Sequence, residues 1–171
     1  MKIRIAHCIK ESIVDGPGLR YVIFAQGCKH NCPACFNPLT HPFEGGNEVD
    51  VETLLEDIKS NPLLRGVTCS GGDPMEQPAG FSQLASGAKK LGKDVWVYTG
   101  YTFEQLLAMS VEQKSISTFL NQIDVLVDGM FIEERKHMDL RYRGSSNQRL
   151  IDVQKSLKDK RVVLWQQGVV N

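Results

Sequence analysis

The chain has 171 residues, 42% of them apolar and 23% charged, with 20 basic residues against 20 acidic ones. That length suits one domain, expected over residues 1–171. Balanced charge leaves no field to draw in nucleic acid or an anionic membrane, and no apolar run reaches the length of a membrane span. The opening stretch, MKIRIAHCIKESIVDGPG, interrupts its apolar positions with charge every few residues, unlike a secretory signal. A cytoplasmic chain with reduced thiols is therefore expected.

In chain order, KIRIAH near the start reads as a strand, followed by RYVIFAQ at 20–26. Val51, Leu54, Leu55 and Ile58 then share one helical face, with Asp50 placed to cap it. GVTCS at 66–70 is a β-branched run, and Phe81, Leu84, Ala85, Ala88 and Leu91 line a second helical face. DVWVYT at 94–99 precedes two short helices, which open with the capping boxes Thr102/Gln105 and Ser110/Gln113. DVLVD at 124–128 and RVVLW at 161–165 complete the strands. Strand–helix alternation with nearly continuous apolar strands implies an α/β fold with a mostly parallel sheet. A complete β/α barrel takes ~250 residues. A partial, open β/α barrel or a small doubly wound sheet therefore fits better.

Every unusual motif falls where a strand ends: Gly27-Cys28, Ser70-Gly71-Gly72-Asp73, Thr99-Gly100-Tyr101 and Asp128-Gly129. Parallel strands bring their C-terminal ends to one edge, and sites of α/β folds are built there. The first motif opens GCKHNCPACFNP, in which Cys28, Cys32 and Cys35 stand at C-x3-C-x2-C. Five cysteines, three of them clustered, make a poor disulfide framework and a good metal-ligand pattern. Two chemistries suit three thiolates. One is zinc, with His30 or His41 as fourth ligand. The other is a [4Fe–4S] cluster with one iron lacking a protein ligand. Structural zinc sites usually split their ligands into two pairs, so the crowded single loop fits the cluster better. Cys69 has the pattern of a core position, and no histidine has a forced role.

The C-x3-C-x2-C loop after a strand resembles the signature of the radical S-adenosylmethionine (SAM) enzymes, whose unique iron is chelated by SAM. The usual aromatic before the last cysteine is Ala34 here, and an aromatic follows it instead as Phe36. CSGGDP at 69–74 resembles that superfamily's Gly-Gly-Glu-Pro motif, with Asp73 in the acidic position; by itself it also reads as a tight Gly-Gly turn. DGPGLR at 15–20 reads locally as a type II turn, and it also resembles the activating enzymes of glycyl-radical enzymes. Within that group the resemblance is to the activating proteins of anaerobic ribonucleoside-triphosphate reductases. It extends through WVYTGYT, IDVLVDGMF and RGSSNQRLIDV.

The resemblance implies a partial, open barrel of the radical SAM type and an oxidoreductase-class activase. Cys28, Cys32 and Cys35 would hold the cluster, and Phe36, Asn37, Gly71, Gly72, Asp73, Tyr98, Thr99 and Asp128 would bind SAM. Reductive cleavage of SAM would give a 5′-deoxyadenosyl radical, which abstracts hydrogen from a glycine in a C-terminal segment of the reductase. No general acid or base is required, and no other catalytic side chain is expected. Reduced flavodoxin or a similar carrier would supply the electron under anaerobic conditions, with no nucleic acid or membrane involved. RYRGSSNQR at 141–149 reads as a solvated loop, or by resemblance as a cofactor contact or docking surface. The rival readings are activation of another glycyl-radical enzyme, a small-molecule radical SAM enzyme such as 7-carboxy-7-deazaguanine synthase, and a zinc or iron–sulfur binding module.

Overall fold

Residues 1–168 are described by the computed structural model. Its strands are β1 (Lys2–Ser12), β2 (Arg20–Ala25), β3 (Asn47–Asp50), β4 (Gly66–Gly71), β5 (Asp94–Tyr98), β6 (Val125–Asp128) and β7 (Arg149–Asp152). They form one seven-stranded sheet in the order β3-β1-β2-β4-β5-β6-β7. β2, β4, β5 and β6 run parallel, whereas β1, β3 and β7 join antiparallel. The sheet is open, since β3 and β7 do not pair with each other among the described residues.

Alternation along the strands sorts the side chains into two layers. Tyr21, Ile23 and Ala25 of β2, Val67 and Cys69 of β4, and Val95 and Val97 of β5 face the main core. Against them pack α1 (Val51–Ser60), α2 (Pro78–Lys90), α3 (Phe103–Glu112), α4 (Lys114–Leu120) and the first residue of α5 (Val153–Asp159). The predicted helical faces are present: Val51, Leu54 and Ile58 of α1 and Phe81, Leu84, Ala85 and Ala88 of α2 are buried. Each such Leu, Ile or Phe stabilises the fold by roughly 1.5–3 kcal/mol. On the opposite face Trp96, Val125 and Val127 meet Tyr98, Tyr142, Leu150 and Trp165, an aromatic cover in place of helices. One helical layer rather than two sets aside the doubly wound alternative. No helix among the described residues is long and apolar enough to cross a membrane.

Local expectations failed in four places. RVVLW at 161–165 is not a strand. Leu164 makes one isolated bridge to Ile151, and Trp165 N–H donates to Leu150 carbonyl, so the segment follows β7 irregularly. Two four-residue strands, β3 and β7, are too short for an apolar pattern to mark them in the sequence. Thr102 and Gln105 do form a capping box at α3, but Ser110 lies inside that helix and its hydroxyl donates back to Leu107 carbonyl. Gln113 instead stands at the N-cap of α4 with no side-chain bond, and Asp50 stands likewise at α1.

Candidate metal centre

The ends of β2 and β4 are joined by backbone hydrogen bonds. Gly72 N–H donates to Ala25 carbonyl at 2.8 Å and Asp73 N–H to Gly27 carbonyl at 2.8 Å. From Gly27 the cysteine loop leaves the sheet and returns beside its own root. Gly27 N–H donates to Thr40 carbonyl at 2.8 Å and Cys28 N–H to His41 carbonyl at 3.0 Å. Within the loop Asn31 (φ 48°) and Ala34 (φ 55°) take left-handed backbone, the tight bends that turn the chain between successive cysteines. A Cβ on Gly72 would collide with the carbonyl of Gly27, so glycine is required here for the approach of one backbone to another.

Asp73 joins the loops further. Its carboxylate is fully buried, and Oδ1 accepts from Met75 N–H at 2.9 Å. Oδ2 lies 2.9 Å from His30 Nε2 and accepts from Thr99 Oγ1 at 2.9 Å and Gly100 N–H at 3.0 Å. Beside it Glu76 accepts from Tyr101 Oη at 2.6 Å and pairs with Lys29 at 2.8 Å. The loops after β2, β4 and β5 are thus tied together by two acidic side chains.

Cys28, Cys32 and Cys35 line one cavity of about 110 Å³ with His30, Gly71, Gly72, Thr99, Gly100 and Gln148. Neither Cys8 nor Cys69 lines it, and Cys69 is buried in the core as its pattern predicted. Burial pushes the Cys28 thiol up to about 11, and it also raises that of Cys32. Metal ions therefore have to displace protons on binding.

The donor set bears differently on the two metal chemistries. Among the described residues, the only three metal-ligating side chains with donor atoms all within 4.8 Å of one another are Cys28, His30 and Asp73. That group suits a single ion poorly, because His30 and both Asp73 oxygens are already engaged in hydrogen bonds. Three cysteines around one cavity, spaced more widely, suit a multinuclear cluster whose irons occupy separate corners.

A groove of about 460 Å³ adjoins the cavity, within the range of small-molecule sites. The two share Cys35, Ser70, Tyr98, Phe131 and Gln148. Phe36 and Asn37 line the groove; the Phe36 ring is exposed and packs against Phe131 at 4.9 Å. Tyr98 borders both hollows while its hydroxyl donates to Tyr142 carbonyl at 2.6 Å. A larger hollow, about 730 Å³, lies on the helical side and carries no cysteine or histidine.

Asp128 departs from its expected place on the open edge. It is buried, accepts from Phe103 N–H at 2.8 Å, and takes both Nε and an Nη of Arg149, so its oxygens serve the start of α3. The 141–149 segment is likewise no solvated loop. Gln148 is buried, accepts from Gly144 and Ser145 N–H groups at 2.8 and 3.1 Å, and donates to Gly129 carbonyl at 2.9 Å. Arg20 of DGPGLR is fully buried and donates to Thr68, Pro17 and Val67, pairs with Asp94, and lies over Trp96. Arg20 thereby ties the turn before β2 to the starts of β4 and β5.

An open α/β sheet with a three-cysteine cavity at its parallel edge is an arrangement that suits a single iron–sulfur cluster. Residues 14–151 match the family described as a 4Fe-4S single cluster domain. Similar proteins include the anaerobic ribonucleoside-triphosphate reductase-activating protein of Vibrio cholerae, 37% identical over 145 residues, 80% of this chain and 89% of that one. The proteins of the same name from Escherichia coli and Haemophilus influenzae are each 34% identical over 145 residues. These matches cover 80% of this chain and 90% and 89% of theirs. The chain belongs to the family of anaerobic ribonucleoside-triphosphate reductase-activating proteins.

Proposed function

We propose that this chain is a radical SAM activase that generates the glycyl radical of an anaerobic ribonucleoside-triphosphate reductase. It is a single domain over residues 1–171, folded as a partial, open barrel, and it works in an anaerobic cytoplasm. The observation that carries the reading is the cavity bounded by three cysteines and no fourth, set against a Gly-Gly-Asp loop and opening into a small-molecule groove.

In this reading Cys28, Cys32 and Cys35 would hold a [4Fe–4S] cluster, and the groove that shares Cys35 with their cavity would take SAM. A bound cluster would supply the reducing electron for SAM cleavage, the chemistry that would lead to hydrogen abstraction from the reductase's glycine. The chain's own residues bind and orient. The Gly71-Gly72 backbone and Thr99 form the wall next to the cysteines, while Phe36, Asn37 and Tyr98 border the space for the nucleoside. Asp73 supports that wall from behind, because its oxygens are turned into the protein. Asp128 is set apart from SAM as the anchor of α3 and Arg149. Exclusion of water and placement of the glycine segment are the protein's work. Reduced flavodoxin or a similar carrier delivers the electron.

The test is anaerobic reconstitution with iron and sulfide, reduction, addition of SAM and chromatographic measurement of 5′-deoxyadenosine. Its formation, and a glycyl-radical signal when the reductase is added, are the expected results. A fully assembled cluster that leaves SAM intact even with the reductase present would refute the activase reading. Zinc in place of iron would refute the cluster.

A further inference from the structure

His30 lies between the first two cysteines of the loop, yet its ring turns inward and is only 11% exposed. It packs edge-on to Tyr101 at 4.4 Å and beneath Gly100, where any Cβ would strike the imidazole. The oxygen that meets its Nε2 also receives Gly100 N–H, which can only donate. Thr99 Oγ1 accepts from Tyr101 N–H at 3.2 Å, so its own proton is free to point at the same oxygen. Asp73 Oδ2 thus already faces two donors, and the His30 Nε2 at 2.9 Å is its third neighbour. Lys29, the other tie between these loops, is 67% exposed, and an ion pair so open to solvent contributes little. Beyond the backbone bond from Asp73 N–H to Gly27 carbonyl at the loop's root, the buried side-chain connection between the cysteine loop and the wall behind the groove is His30 to Asp73.

We propose that His30 is a positioning residue. Through Asp73 it clamps the cluster loop to the Gly-Gly-Asp and Thr-Gly loops, setting the spacing between the cysteines and the groove before SAM arrives. This inference rests on the cluster-and-SAM reading above. Preorganisation of this kind is felt as affinity, since a loose loop has to be ordered when the ligand binds.

The test uses the full chain, anaerobically reconstituted, with His30→Phe and His30→Gln. Phenylalanine keeps a ring under Gly100 but has no donor, whereas the glutamine amide restores an N–H of similar reach. Iron and sulfide per chain, SAM affinity by equilibrium dialysis and the change that SAM causes in the reduced cluster's EPR spectrum are measured. Both variants are expected to load iron fully. His30→Phe should bind SAM about ten-fold more weakly and show a broadened spectral change, while His30→Gln stays within about three-fold of the parent. Unchanged affinity and spectrum in His30→Phe would overturn the proposal. So would equal losses in both variants, since the restored N–H would then contribute nothing, or loss of iron from well-folded variants, which would make His30 a ligand. If His30→Phe does not fold, His30→Asn, whose amide is too short to reach Asp73, carries the same expectation and the same refutation. A parent protein that loads its cluster but does not bind SAM would sink the cofactor reading instead, a distinct outcome.

Discussion

Asparagine at position 73 preserves the shape of the side chain and replaces one acceptor oxygen by a donor. The least costly orientation keeps the amide oxygen toward His30, Thr99 and Gly100 and turns the NH2 group toward Met75 N–H. Two donors then face each other in a fully buried place, at a cost of about 1–3 kcal/mol. The three remaining bonds change from charge-assisted to neutral, which weakens each, while the burden of desolvating a carboxylate is relieved. Together these give a net loss of about 3 kcal/mol. For a chain of this size that corresponds to a melting temperature lowered by roughly 6–12 °C. Differential scanning calorimetry on the cluster-free protein reads the effect without any contribution from iron or SAM. A shift of less than about 2 °C would refute the assignment of Asp73 as the tie among three loops.

Replacing Cys32 by alanine should abolish cluster assembly, seen as loss of the iron–sulfur absorbance, with the melting temperature of the cluster-free chain nearly unchanged because the side chain is only partly buried. Retained iron at full stoichiometry would remove Cys32 from the ligand set. Arg20→Met removes a fully buried guanidinium and leaves the Pro17 and Val67 carbonyls and the Thr68 hydroxyl without that donor, while Asp94 keeps Arg65. A loss of roughly 2–5 kcal/mol in urea denaturation is expected from the unpaired acceptors, and one below about 1 kcal/mol would show that Arg20 does not hold the DGPGLR turn to the sheet. Burial pushes the Cys69 thiol up from 9.0 to about 12, so the folded chain keeps a proton that the unfolded chain releases. Its contribution to stability is full below about pH 9 and is lost as pH rises toward 12. Cys69→Ala should therefore show a shallower alkaline fall in urea midpoint than the parent, and parallel curves would contradict this.

The cysteine triad, the Gly-Gly-Asp loop and the helical faces of α1 and α2 were legible because each is written in nearby residues. Ligand spacing is a property of one loop, apolar periodicity of one element, and strand ends follow from where β-branched runs stop. Those local signals also carried the prediction that the motifs share one edge, since parallel strands place their C-terminal ends together. The roles of single side chains were decided elsewhere. His30 meets Asp73 across 43 positions, Arg149 meets Asp128 across 21, and Arg20 meets Asp94 across 74. Asp128 looked like an open-edge carboxylate because its partner in β7 lay in a segment that read as a polar loop. β3 and β7 themselves are strands only because β1 and β6 offer free edges to pair with. Residue order by itself determined the central parallel strands, the faces of α1 and α2, and which ligand types gather at the strand ends. Only the tertiary structure decided which polar side chains face the groove and which turn inward to brace it, because a buried polar group is fixed by partners that the local sequence does not contain.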